Sequence, residues 1–81
     1  MRDKKVPDII ITTTIGGVVK YVYDAPINAK RIRVPILVED PAKAKRFWMD
    51  EGARQYLLHF PDNGKGFRTE TFAPAAIKNI L

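Results

Sequence analysis

His59 is the single histidine of an 81-residue chain that has no cysteine and no serine. A histidine works as a general acid or base only within hydrogen-bond reach of its substrate, and it activates a nucleophile only when one is beside it. No Ser or Cys exists here for it to serve, and no spacing sets a third group behind it. The expected reading is a surface or strand-face histidine in a non-enzymatic protein with no catalytic residue. Two acidic pairs, Glu39-Asp40 and Asp50-Glu51, carry oxygen ligands suited to Mg²⁺ or Ca²⁺. Neither has the spacing of a metal-binding loop. Asp40 is better used as a helix cap, so neither metal nor cofactor is expected. Asp62-Asn63-Gly64-Lys65-Gly66 has the glycines of a phosphate cradle, but no Lys-Ser or Lys-Thr pair follows them. It reads as a hairpin loop whose glycines take positive φ.

The richer signal is cationic and aromatic. Fourteen Lys and Arg face nine Asp and Glu, giving a formal charge of +5. That balance favours polyanionic partners, either nucleic acid or an acidic protein surface. Tyr21 and Tyr23 stand close in sequence to Lys30, Arg31 and Arg33, and Lys43, Lys45 and Arg46 extend the basic set. Cations that hold phosphate beside rings that stack on bases are the working parts of a single-strand-binding surface. Lys65-Gly66-Phe67 with Phe72 fits part of the RNA-recognition-motif strand signature. Arg68, Thr69 and Glu70 occupy its small, Phe and Val positions, however, and the element order differs from βαββαβ. No family is assigned on that fragment. The expected function is a nucleic-acid-binding or nucleic-acid-associated module. The alternative is a protein-binding adaptor or inhibitor, of the small regulatory kind that phages and plasmids encode, because Tyr and Arg also anchor protein interfaces.

These residues must be held by a small fold. Ile9–Ile15 and Val18–Tyr23 are rich in β-branched and aromatic residues, and Gly16-Gly17 between them suits a two-residue hairpin turn. That turn sets Ile15 opposite Val18 and, further back, Ile10 opposite Tyr23. Alternation then gives one face Ile9, Ile11, Thr13, Ile15, Val18, Lys20 and Val22, the expected core side. The other face gets Ile10, Thr12, Thr14, Val19, Tyr21 and Tyr23, expected to be partly wetted. Ile32, Val34, Ile36 and Val38 suggest a third strand, and Pro35 within it indicates an edge or a bulge. Asp40-Pro41 reads as a helix start, with the helix running to about Glu51 and stopping at Gly52. Phe47 and Trp48 would plug the core from it. Lys43, Lys45 and Arg46 early in that helix, and Asp50 and Glu51 late, oppose its dipole. Arg54–Phe60 and Phe67–Phe72 read as fourth and fifth strands, and Pro74 opens a short terminal helix.

The expected class is therefore α+β: a small, mostly antiparallel sheet in the order β-β-β-α-β-β-α, with one central and one C-terminal helix. Residues 1–8 are expected to form a flexible tail and 9–81 a single domain. Absence of cysteine suits a reducing cytoplasm. The longest apolar run, Ile9–Val22, is interrupted by Thr, Gly and Lys20 and does not read as a membrane span.

Overall fold

A computed structural model describes residues 7–72. It shows a small α+β fold: a four-stranded antiparallel sheet with one α-helix on one face. The strands are β1 (Ile9–Ile15), β2 (Val18–Asp24), β3 (Ile36–Val38) and β4 (Phe67–Thr71), and the helix α1 is Asp50–Leu57. Sheet order is β3-β2-β1-β4. No described helix is long and apolar enough to cross a membrane.

The β1–β2 hairpin follows its sequence. Gly16 and Gly17 have φ of 59° and 82°, the left-handed pair that a two-residue turn requires. Ile15 faces Val18 and Thr12 faces Tyr21. Beyond Thr12 the two strands splay, so the expected pairing of Ile10 with Tyr23 does not form, and the segment Lys45–Phe47 enters between them. The Ile9 and Phe47 backbones exchange hydrogen bonds of 3.1 and 2.8 Å, and the Lys45 amide donates to the Val22 carbonyl at 2.8 Å. Backbone groups bared by the splay are thereby satisfied.

This insertion replaces most of the expected central helix. Asp40 does cap, accepting from the Ala42 amide at 2.9 Å, but the turn it opens is a 3₁₀ turn that ends at Lys43. Phe47 packs against the core as expected, whereas Trp48 is 59% exposed rather than plugged. The α-helix begins instead at Asp50 and occupies most of the expected fourth strand, Arg54–Phe60. Asp50 and Glu51 lie in its first turn and Arg54 in its last, the arrangement that the dipole favours. Gly52, expected as a stop, is inside it. Consequently Pro61–Gly66 connects a helix to a strand and does not close a β-hairpin. The third strand is shorter than expected, but it is an edge, and a bulge lies between Val22 and Asp24 of its partner. The expected C-terminal helix and residues 1–6 of the expected tail lie outside the described residues. Asp8, placed in that tail, accepts a hydrogen bond from the Phe72 amide at 2.7 Å.

The core lies between the sheet and α1. Ile11 and Val22 from the expected core face meet Ala25, Ala53, Leu57 and Phe60, with Phe47, Tyr56 and Phe67 around them. Phe47, Tyr56, Phe60 and Phe67 form a row of edge-on ring contacts with centroids 5.1–5.7 Å apart, the geometry that the ring quadrupole prefers. The opposite face is less wet than its composition suggests: Ile10 and Thr12 are also buried. The Thr12 hydroxyl donates to the Glu70 carboxylate at 3.1 Å, and Arg68 reaches the same carboxylate at 2.7 Å. The Arg68 bond, joined by the one from Thr12, holds the Glu70 carboxyl below its ordinary pKa against the opposing effect of burial.

Gly64 is the tightest backbone position. Its φ is +79°, and a Cβ there would stand 2.9 Å from the Leu57 carbonyl and 3.1 Å from the Leu57 Cβ. Gly66 shares the left-handed conformation, at φ +91°, but has open space around it. Gly64→Ala is therefore expected to cost at least about 2 kcal/mol, from left-handed strain plus overpacking. Gly66→Ala carries the strain alone, about 1–2 kcal/mol. Urea denaturation of the two variants measures the difference.

Candidate nucleic-acid interface

The segment between β2 and β3 contains three basic residues and no acidic one from Ala25 through Val38. It is built as a continuation of the β2–β3 hairpin past the bulge. The Val34 amide donates to Pro26 at 2.9 Å, Ile27 and Arg33 form a bridge, and the Asn28 amide donates to Ile32 at 2.9 Å. Asn28 then organises the tip. Its side-chain oxygen accepts from the amides of Lys30 at 2.8 Å and Ile32 at 3.0 Å, and its carbonyl accepts from Arg31 at 3.0 Å. Asn is suited to this because its short side chain mimics a backbone acceptor. Arg31 takes φ 64° to complete the loop, a conformation that costs a non-glycine residue about 1–2 kcal/mol.

The result is a tied tip that holds Lys30 and Arg31 in solvent. Both are exposed, and neither forms an ion pair among the described residues. Beside the tip lies an open depression of about 420 Å³ lined by Ile27, Asn28, Ala29, Arg31 and His59. The end of α1 supports the hairpin there, through the Arg33 amide donating to the His59 carbonyl at 2.7 Å.

The eight residues singled out from sequence separate into distinct environments. Tyr21 is half-buried on the face opposite α1, since its neighbour Val22 enters the core beneath the helix, and Tyr23 sits at the bulge and is 53% exposed. Arg33 faces inward. Its guanidinium lies 4.3 Å from the Tyr56 ring centre, and its Nη1 donates to the Ala25 carbonyl at 2.9 Å. Lys45 joins it, with its ammonium 5.5 Å from the same ring and 5.7 Å from that of Phe47. Burial raises the Tyr56 pKa, partly offset by the Arg33 charge. Arg46 is the next residue of an extended segment and so projects to the other face. There its guanidinium lies 4.6 Å from the Phe72 ring centre. Lys43 is exposed on the 3₁₀ turn.

Lys30, Arg31 and Tyr23 are thus open on one hairpin, while Arg33 and Lys45 are packed against rings. Sequence reading missed the tip residues Ile27 and Asn28 and the contribution of His59 to the depression. The Asn-x-Lys pattern, with an Asx acceptor two residues before an amide, was the available signal for the turn. No cluster of acidic, histidine or cysteine side chains capable of holding a metal occurs among the described residues. Comparison with protein-family models, curated proteins and solved structures finds no match.

Proposed function

We propose that this protein is a non-enzymatic nucleic-acid-binding module that engages phosphates through Lys30 and Arg31. The supporting observation is the tied hairpin tip, which spends left-handed strain at Arg31 to hold in solvent two cations that form no ion pair among the described residues. A preordered tip loses less conformational entropy on binding than free side chains do. The depression that Ile27 and His59 line together with Arg31 offers a small surface for a base whose phosphate meets the guanidinium. Tyr23, further along the hairpin, supplies an exposed ring. Contacts of this type favour single strands, whose bases are free to stack.

The test is titration of labelled single-stranded and duplex oligonucleotides of mixed sequence at increasing salt. Binding to the single strand that weakens linearly in log salt is expected, with a slope of about −0.7 per phosphate engaged. No binding at 20–50 mM salt, roughly the range in which such contacts are strongest, would sink the proposal.

One observation favours a protein-binding reading. Ile27, Val34 and Ile36 are exposed along the same hairpin, and apolar side chains beside Arg are the composition of a protein-interface anchor. An adaptor or inhibitor would retain its partner in a pull-down after nuclease digestion. Loss of the partner under digestion would refute that second reading.

A further inference from the structure

The two edges of the sheet are unequal. β3 is three residues long, follows Pro35 and pairs across a bulge, all features that discourage a further strand. β4, Phe67-Arg68-Thr69-Glu70-Thr71, is five residues long with neither proline nor bulge. Its outward backbone groups can be identified. The Phe72 amide donates to Asp8, and antiparallel pairs alternate between bonded and non-bonded. Hence Glu70 with Ile10 and Arg68 with Thr12 are the bonded pairs to β1. Ile9 agrees, since both of its backbone bonds run the other way, to Phe47. The amides and carbonyls of Phe67, Thr69 and Thr71 therefore point away from β1, and no backbone hydrogen bond reaches them among the described residues.

We propose that β4 pairs antiparallel with β4 of a second copy about a two-fold axis at Thr69. In that register Thr69 faces its own counterpart and Phe67 faces the partner's Thr71. All three outward residues become bonded pairs, giving about six backbone hydrogen bonds. Arg68 then falls opposite the partner's Glu70, and Glu70 opposite the partner's Arg68. They occupy the non-bonded positions, where opposed side chains are closest. Both are exposed, and they already pair within the strand at 2.7 Å. A parallel in-register pairing would instead set Arg68 beside Arg68 and Glu70 beside Glu70. The four-stranded sheet thus becomes continuous across the dimer, an isologous closure. This inference is independent of the nucleic-acid reading.

Charge variants test it by sedimentation equilibrium on the full chain without nucleic acid. An interface this size belongs to the weak class, below about 1,200 Å², so concentrations up to about 1 mM are followed. Arg68→Glu and Glu70→Arg should each weaken the dimer by about tenfold or more, since each turns both cross-strand pairs repulsive. An equimolar mixture of the two should dimerise again, because each then faces the opposite charge. The double variant R68E/E70R should also recover. Thr71→Pro removes an outward amide without touching the β1 ladder, and it should weaken the dimer while leaving the far-ultraviolet dichroism unchanged. It covers the case in which Glu70→Arg disturbs the Thr12 bond and lowers folding. A wild-type chain that stays monomeric throughout would overturn the proposal, as would a dimer indifferent to Thr71→Pro or single variants whose mixture stays monomeric.

Discussion

Reversing the charge at Lys30 and Arg31 together is expected to lower affinity for single-stranded nucleic acid by about tenfold or more at low salt. The salt slope should fall by about 1.4, roughly 0.7 for each phosphate that is no longer neutralised. Stability should stay within about 0.5 kcal/mol of the parent, because both residues are solvent-exposed and neither forms an ion pair among the described residues. Arg33, two residues on, should behave in the opposite way. Its guanidinium stacks on Tyr56 and satisfies the carbonyl of fully buried Ala25. Arg33→Glu would strand that carbonyl, at about 1–3 kcal/mol, and remove the cation from the ring face, at about 0.5–2 kcal/mol. Its weaker binding would then be traceable to loss of fold. Oligonucleotide titration paired with denaturant melts of both variants makes the separation. If K30E/R31E binds as tightly as the parent and with the same slope, phosphate is not held at the tip.

The sequence treats Lys30, Arg31 and Arg33 as one basic cluster, and only the backbone separates them. The bridge of Ile27 to Arg33 and the support from His59 turn Arg33 inward. Neither contact has a local signature. The β1–β2 hairpin was legible because its determinants are local: two glycines with positive φ between β-branched runs. The helix was misplaced because two signals conflicted. Asp40-Pro41 is a genuine start, but the chain beyond it is drawn into the gap between β1 and β2 by long-range hydrogen bonds. The clue was electrostatic. A helix over 41–51 runs its charges against the dipole, whereas one opening at Asp50 runs them with it. Ala53, Tyr56, Leu57 and Phe60 also carry the i, i+3, i+4, i+7 spacing of a buried helical face. Tyr56, Leu58 and Phe60 match strand alternation equally well over so short a window, and Leu58 is in fact exposed. The open tip and the self-complementary edge strand depend on tertiary placement, so the sequence could nominate residues there but not assemble them.

Phe60→Ala should be the most damaging single truncation in the described core. Phe60 is 3% exposed and makes edge-on contacts with Tyr56 at 5.7 Å and Phe67 at 5.1 Å, linking helix, turn and β4. Removing a buried phenyl costs about 3–5 kcal/mol. A chain of this length has about 4–12 kcal/mol of stability in all. The midpoint of thermal unfolding should therefore drop by about 15 °C or more. Trp48 gives the contrast. Sequence spacing makes it a core plug, yet it is exposed, so Trp48→Ala should change stability by no more than about 0.5 kcal/mol. Calorimetry on both variants decides between the two placements of the helix. A helix over 41–51 would bury Trp48 and make its loss the costlier one. A helix over Asp50–Leu57 leaves Trp48 outside and makes Phe60 the residue that ties the aromatic row to the sheet. Equal and small losses for both would contradict this packing, because nothing else in the described core could replace the Phe60 ring between Tyr56 and Phe67.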